Sequence, residues 1–265
     1  VIEDGRSTTR PDQVATEEPL EIRLVAGGRR QTVAVTMRTP GADFELAAGF
    51  LFAEGVIAGP NDVRRITYCT DPEVDGDQRH NIVNVELAGA ATPDLRSLER
   101  HFFTTSACGV CGKATLDALE LRGCAPATGG PHLPVDVLYA LPERLRCAQS
   151  LFDATGGLHA AGLFDAAGDL VAIREDVGRH NALDKLVGWA VLHGGVPLAD
   201  HVLLASGRTS YEIVQKAIVA GLPMVCGISA PSSLAVDLAE RFGVTLVGFL
   251  RDRRCNVYAH AGRVS

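Results

Sequence analysis

His201-Val202-Leu203-Leu204-Ala205-Ser206-Gly207-Arg208-Thr209-Ser210 sets a short apolar run directly before a glycine turn that carries an arginine and three hydroxyls. The same order returns downstream. An apolar run over residues 223 to 228 leads into Ser229-Ala230-Pro231-Ser232-Ser233, and a third run spans residues 244 to 250. Amphipathic stretches at residues 211 to 220 and 233 to 242 separate them and predict helices. Runs this short, apolar on both faces and alternating with helices, are the sequence form of parallel strands covered on both sides. The C-terminal half is therefore read as α/β.

Working outward, residues 157 to 164 and 170 to 173 predict a hairpin turning at 165 to 168, followed by a helix over 181 to 192. In the N-terminal half, Leu20-Glu21-Ile22-Arg23-Leu24-Val25 and Gln31-Thr32-Val33-Ala34-Val35-Thr36-Met37 alternate on either side of Gly27-Gly28, which predicts a second hairpin. Pro40-Gly41 breaks that pattern. Asp43 is expected to cap a helix through Leu46, Phe50 and Phe52 that stops at Gly55. Strands are expected near residues 63 to 66 and 82 to 87, and a helix over 113 to 121. The organisation expected is a flexible tail (1–18), an N-terminal α+β lobe (19–123), a Gly- and Pro-rich linker (124–134) and a C-terminal α/β lobe (135–265), with no internal repeat.

Composition narrows the function classes. A chain of 265 residues with 46% apolar content can bury a substantial core. None of its apolar runs approaches the roughly 20 residues needed to cross a bilayer, so no membrane role is expected. A net charge of −7 argues against coating nucleic acid, which requires a broad basic face. The first 18 residues lack the apolar core of a secretory signal. Seven cysteines, at 69, 108, 111, 124, 147, 226 and 255, are odd in number and unlike a secreted disulfide framework. Reduced thiols in the cytoplasm are expected.

Two features carry chemistry. Cys108-Gly109-Val110-Cys111-Gly112 precedes the helix expected from Lys113, whose free N–H groups would favour thiolates, and its glycines leave room for a partner's sulfur. The same spacing serves as half a zinc site, but no second pair completes it. A thioredoxin-like disulfide is the other reading, and it lacks the expected preceding strand. The second feature is the set of β-to-α turns, Asp176-Val177-Gly178-Arg179-His180-Asn181 and Ser206-Gly207-Arg208-Thr209-Ser210, which a parallel sheet gathers at one edge where helix N-termini favour anions. Capping by Thr209 or Ser210 is the plainer reading of the latter. Phe249-Leu250-Arg251-Asp252-Arg253-Arg254 adds three arginines in an acidic chain, suited to phosphate oxygens unless they simply solvate a strand end. No P-loop or dinucleotide fingerprint is present. His159, at the start of an apolar strand, reads as a core or edge histidine, and His180 as the better functional candidate.

Taken together, the segment from Phe103 through Cys108-Gly109-Val110-Cys111-Gly112-Lys113, then Gly156-Gly157-Leu158-His159-Ala160-Ala161, Glu175-Asp176-Val177-Gly178-Arg179-His180-Asn181-Ala182-Leu183-Asp184-Lys185, Ser206-Gly207-Arg208-Thr209-Ser210-Tyr211-Glu212 and Gly248-Phe249-Leu250-Arg251 strongly resemble the FdhD family of formate dehydrogenase accessory sulfurtransferases. The resemblance runs from about residue 18 to 261. It implies a homodimer with a cytidine-deaminase-like three-layer α/β core, receiving sulfur from a cysteine desulfurase. The sulfur would pass to the molybdenum (or tungsten) bis(molybdopterin guanine dinucleotide) cofactor, bound as substrate, before its insertion into the formate dehydrogenase catalytic subunit. Cys108 would bear the persulfide and Cys111 would support or resolve it. The cofactor-binding stretch maps onto Phe249, Leu250, Arg251, Asp252, Arg253 and Arg254, beside the turn residues Arg179, His180, Ser206, Gly207, Arg208 and Thr209. No permanently bound metal is expected. A cofactor-binding chaperone without sulfur chemistry is the alternative. A zinc-dependent deaminase fits worse, because Ala161 stands where its glutamate is needed.

Overall fold

The computed structural model describes residues 1–89 and 123–265. The expected helix over 113 to 121 and the Cys108/Cys111 loop lie outside the described residues. At the N-terminus, within the expected tail, Ile2–Glu3 (β1) pairs with Arg6–Ser7 (β2), and both are exposed.

Alternation builds the first sheet. In Glu18–Ala26 (β3) the side chains of Leu20, Ile22, Leu24 and Ala26 are buried, and the residues between them are not. Gly27 and Gly28 both take positive φ, 55° and 76°, as a two-residue hairpin turn requires, and the chain returns as Arg29–Arg38 (β4). Val63–Tyr68 (β5) pairs antiparallel with Ile82–Leu87 (β6), and β6 runs parallel to β3, giving the order β4-β3-β6-β5.

The helix between β4 and β5, Asp43–Ala53 (α1), ends where Gly55, at φ 74°, donates to Phe52 O. Its start differs from expectation. Ala42 occupies the N-cap, while Asp43 accepts from Arg38 Nε and Nη2 at 3.1 and 3.0 Å and from Tyr68 OH at 3.1 Å. Arg38 is only 1% exposed. A buried guanidinium without a counter-charge costs far more than the ~1 kcal/mol of a missing cap, so the carboxylate serves the arginine.

After irregular residues 124–134, the second unit runs Val135–Ala148 (α2), Ser150–Thr155 (α3), His159–Phe164 (β7), Leu170–Asp176 (β8), Arg179–Leu192 (α4), Val202–Ala205 (β9), Tyr211–Val219 (α5), Met224–Gly227 (β10), Ser233–Arg241 (α6), Thr245–Arg251 (β11) and Arg254–Ala259 (β12). These strands form a mixed sheet in the order β12-β11-β10-β9-β7-β8. Strands β9, β10 and β11 are parallel, and β7 lies antiparallel to β9. The C-terminal ends of three strands therefore share an edge with the N-terminal end of β7. On one face Leu138, Leu141 and Leu145 of α2 pack with Val202, Leu204 and Val247. On the other, residues of α4, α5 and α6 (Leu183, Val214, Leu238) pack with Leu203, Val225 and Leu246.

The two sheets share one core. Leu20, Ile22 and Val83 of the first sheet belong to the same buried cluster as Leu46 of α1 and Leu183, Leu186 and Val187 of α4. The crossing of α1 over α4 is close enough that a Cβ on Gly188 would sit 1.8 Å from Glu45 O, and one on Gly49 1.9 Å from Asp184 O. Only glycine permits that approach. Each large apolar side chain fully buried at this seam contributes about 1.5–3 kcal/mol, which fixes where the β8-to-α4 turn sits relative to β4.

Candidate functional site

The turn from β8 into α4 is tied down by one carboxylate. Asp176, fully buried, accepts through Oδ1 from Gly178 N at 2.8 Å and Asn181 Nδ2 at 3.1 Å, and through Oδ2 from Thr39 N at 3.1 Å. Lys185 Nζ lies 2.8 Å from the same Oδ2 and donates to Thr39 O at 2.8 Å. Asn181 also donates to Met37 O at 2.7 Å. Within Asp176-Val177-Gly178-Arg179-His180-Asn181, the acid and the amide thus hold the end of β4, and Arg179 and His180 open α4 at the sheet edge.

At that edge the groups gather. Ser206 Oγ accepts from Ala160 N at 2.8 Å, extending the β7–β9 ladder by one hydroxyl. A Cβ on Gly207 would lie 3.3 Å from His159 Nδ1 and 3.7 Å from Arg179 Cδ, so the glycine makes room for both. Neither Thr209 nor Ser210 caps α5 through its side chain. Ser210 Oγ lies 3.2 Å from His180 Nε2 and donates to Glu212 at 3.1 Å, and His180 Nε2 meets Glu212 Oε2 at 3.0 Å. The His180 hydrogen bond pulls the Glu212 carboxyl down to about 2. Thr209 is fully buried, and among the described residues its hydroxyl has no partner, nor does the buried Nε of Arg179.

Beside these residues opens a cavity of about 500 Å³ between the sheet edge and the α2–α3 corner, lined by Leu145, Arg146, Phe152, Leu158, His159, Ser206 and Ile228. Arg146 places its guanidinium 4.6 Å over the Phe152 ring. His159 is held below the ordinary histidine value by burial first, then by the charges of Arg179 and His180, so it presents a neutral imidazole. A second cavity of about 370 Å³ lies between β4 and α4, but its charged floor is already paired, with Lys216 Nζ at 2.7 and 3.0 Å from the Asp184 carboxylate. The larger one, with open polar groups at its rim, is the better candidate.

The arginine stretch closes the same edge. Phe249 takes φ 52°, rare for a bulky residue, and sends its N–H to Ser229 O at 3.1 Å while the β11–β12 ladder breaks between Gly248 and Arg251. Asp252 and Arg253, both at φ 53°, form the hairpin tip. Arg253 pairs with Asp136 at 2.6 Å and lies 5.5 Å from the centre of the Tyr139 ring. The exposed guanidinium groups of Arg208, Arg251 and Arg254 make no ion pair among the described residues.

Most of the expected site residues outside the thiol loop therefore lie at or beside one sheet edge: Arg179, His180, Ser206, Gly207, Arg208, Thr209 and Phe249 to Arg254. Leu250 is buried in the core, and Arg253 is engaged with α2. His159, Arg146 and Phe152 join the site without having been expected there. Cys108 and Cys111 lie outside the described residues. Among the described residues no cluster of three or more His, Cys, Asp or Glu could hold a metal ion, and no helix is long and apolar enough to cross a membrane.

Comparison with known proteins agrees along the whole chain. The family model described as the FdhD/NarQ family matches residues 15–265. The sulfur carrier protein FdhD of Streptomyces coelicolor is 54% identical, covering 100% of this chain and 93% of its own length. The protein of that name from Sulfurisphaera tokodaii is 45% identical, covering 99% of this chain and 96% of its own. Among solved structures, a Desulfotalea psychrophila protein named as a candidate formate dehydrogenase accessory protein superposes with a TM-score of 0.76 at 26% identity, covering 100% of this chain and 96% of its own. The chain belongs to the FdhD/NarQ family.

Proposed function

We propose that the chain is a sulfur carrier that takes sulfur from a cysteine desulfurase as a persulfide on Cys108 and delivers it to a molybdenum bis(molybdopterin guanine dinucleotide) substrate before that cofactor enters formate dehydrogenase. The observation that carries this reading is the row of arginines, Arg179, Arg208, Arg251 and Arg254, none in an ion pair among the described residues, along one edge of the sheet beside a cavity wide enough for a nucleobase. Arginine forks in an otherwise acidic chain suit the diphosphates of a dinucleotide. The names of the relatives support the sulfur chemistry. The helices on both faces of the six-stranded sheet support a cytidine-deaminase-like core, and the reading extends to a homodimer acting in the cytoplasm.

In the first step the Cys108 thiolate attacks the outer sulfur of the desulfurase persulfide, and the desulfurase cysteine leaves as thiolate. In the second the sulfur–sulfur bond on Cys108 breaks, Cys108 departs as thiolate, and the transferred sulfur takes two electrons from the reduced metal as it becomes a terminal sulfide ligand. Cys111 supports or resolves the persulfide. The test is intact-protein mass spectrometry after incubation with a cysteine desulfurase and cysteine. One reducible added sulfur on wild type and Cys111→Ala, absent from Cys108→Ala, is the expected result. Equal labelling of all three, or of none, would contradict it and favour a chaperone that binds the cofactor without carrying sulfur.

A further inference from the structure

Helix α3 forms the outer wall of the larger cavity, supplying Phe152 and leading into the Gly156-Gly157 turn, yet none of its six residues is buried. A helix that short does not stand alone in water, and this one has only the half-buried Phe152 to seat it. Its fastening is polar. Glu175 of β8, directly opposite Ala160, accepts from Leu151 N at 3.0 Å and from Phe152 N at 2.8 Å, one bond to each carboxylate oxygen. Both are charge-assisted bonds to N–H groups at the start of the helix, which carries the positive end of its dipole. Arg146 of α2 adds two further contacts, its guanidinium over the Phe152 ring and an ion pair with Asp153 that is exposed at both ends.

We propose that Glu175 is a positioning residue for the nucleotide end of the substrate. By holding α3 against the sheet edge, it sets the width of the cavity between Phe152 and His159 without touching the ligand. The proposal rests on the reading of this cavity as the nucleotide pocket.

The experiment titrates GDP, as the probe of that end, into wild type, Glu175→Ala, Glu175→Gln and Arg251→Ala by calorimetry, with persulfide loading of Cys108 measured on the same preparations. Glu175→Ala is expected to bind GDP about tenfold more weakly, and Glu175→Gln, which keeps one acceptor oxygen, to fall between it and wild type. Loading should be the same in wild type and both Glu175 variants, because a residue that only positions the nucleotide end leaves the Cys108 thiol chemistry unchanged. GDP affinity equal to wild type in Glu175→Ala, with Arg251→Ala weakened, would overturn the proposal while leaving the pocket intact. Loss of binding and of loading together in Glu175→Ala would also overturn it, since the residue would then be supporting the fold at large. Absence of GDP binding in wild type would remove the pocket reading itself, and this proposal with it.

Discussion

Two neighbouring regions of this molecule treat buried polar groups in opposite ways. At the β4–α4 clamp, Asp176, Asn181, Lys185 and Thr39 satisfy one another across the seam between the sheets. At the adjacent edge, Thr209 Oγ1 and Arg179 Nε are buried without a partner among the described residues, and Phe249 sits in a backbone conformation a bulky residue avoids. A buried polar atom without a hydrogen bond costs about 1–3 kcal/mol. Unpartnered atoms occur elsewhere, at Asn81, Asn84 and His201, but those at this edge lie beside exposed arginines, where under the proposed function a substrate would supply the missing bonds while the clamp holds the geometry.

The difference is broken most severely at the clamp. Asp176→Ala would leave the Lys185 ammonium buried without its counter-charge and free three N–H donors, and should lower stability by about 3–5 kcal/mol in urea unfolding. A loss under ~1 kcal/mol would show that the clamp is not what fixes the turn. At the edge the effects should move from stability to affinity. Arg251→Ala with Arg254→Ala should weaken GDP binding about 10- to 100-fold, with unfolding free energy unchanged within about 0.5 kcal/mol, because both side chains are exposed. Thr209→Val sharpens the contrast further. Removing an unpartnered hydroxyl at constant shape should leave stability unchanged or slightly raised while reducing GDP affinity about fivefold.

How far the sequence carried this picture depends on whether a feature is local. The Gly27-Gly28 hairpin and the alternation of strands and helices after Val202 were readable to within a few residues, because period and turn chemistry are written in adjacent positions. Helix α2 was not. Its Leu138, Leu141 and Leu145 have helical spacing, but Pro142 interrupts the pattern, and no element is assigned from sequence between the linker's end at 134 and the hairpin at 157. Asp43 looked like a cap because its partner Arg38 is identified only by burial. His159 was missed for a topological reason. It faces the site because β7 inserts antiparallel beside β9, bringing its first residue to the edge where β9 ends, and nothing near position 159 announces that pairing. Glu175 is hidden in the same way, since its partners at 151 and 152 are brought to it by the fold.

The smallest effect expected is on pH. Burial and neighbouring cations hold His159 below 6.5, its ordinary value. Over the interval from 6.5 down to its folded value the unfolded chain binds the proton more readily, so this residue lowers stability as pH falls through that interval and has no effect on the pH dependence above it. Replacing His159 with Gln should flatten that part of the stability-versus-pH curve. Glu212 acts lower down. Its carboxyl is depressed to about 2 from 4.5, so its contribution is present above 4.5 and lost as pH falls toward 2. Unchanged curves in His159→Gln and Glu212→Gln would place these side chains in ordinary solvent.

A crystal structure of the protein with GDP would test the central assignment most directly. The expected result is phosphate density against Arg251 and Arg254 at the β11–β12 tip, with the base in the cavity between Phe152 and His159. Nucleotide bound on another face of the molecule, or no density at millimolar GDP, would contradict the account.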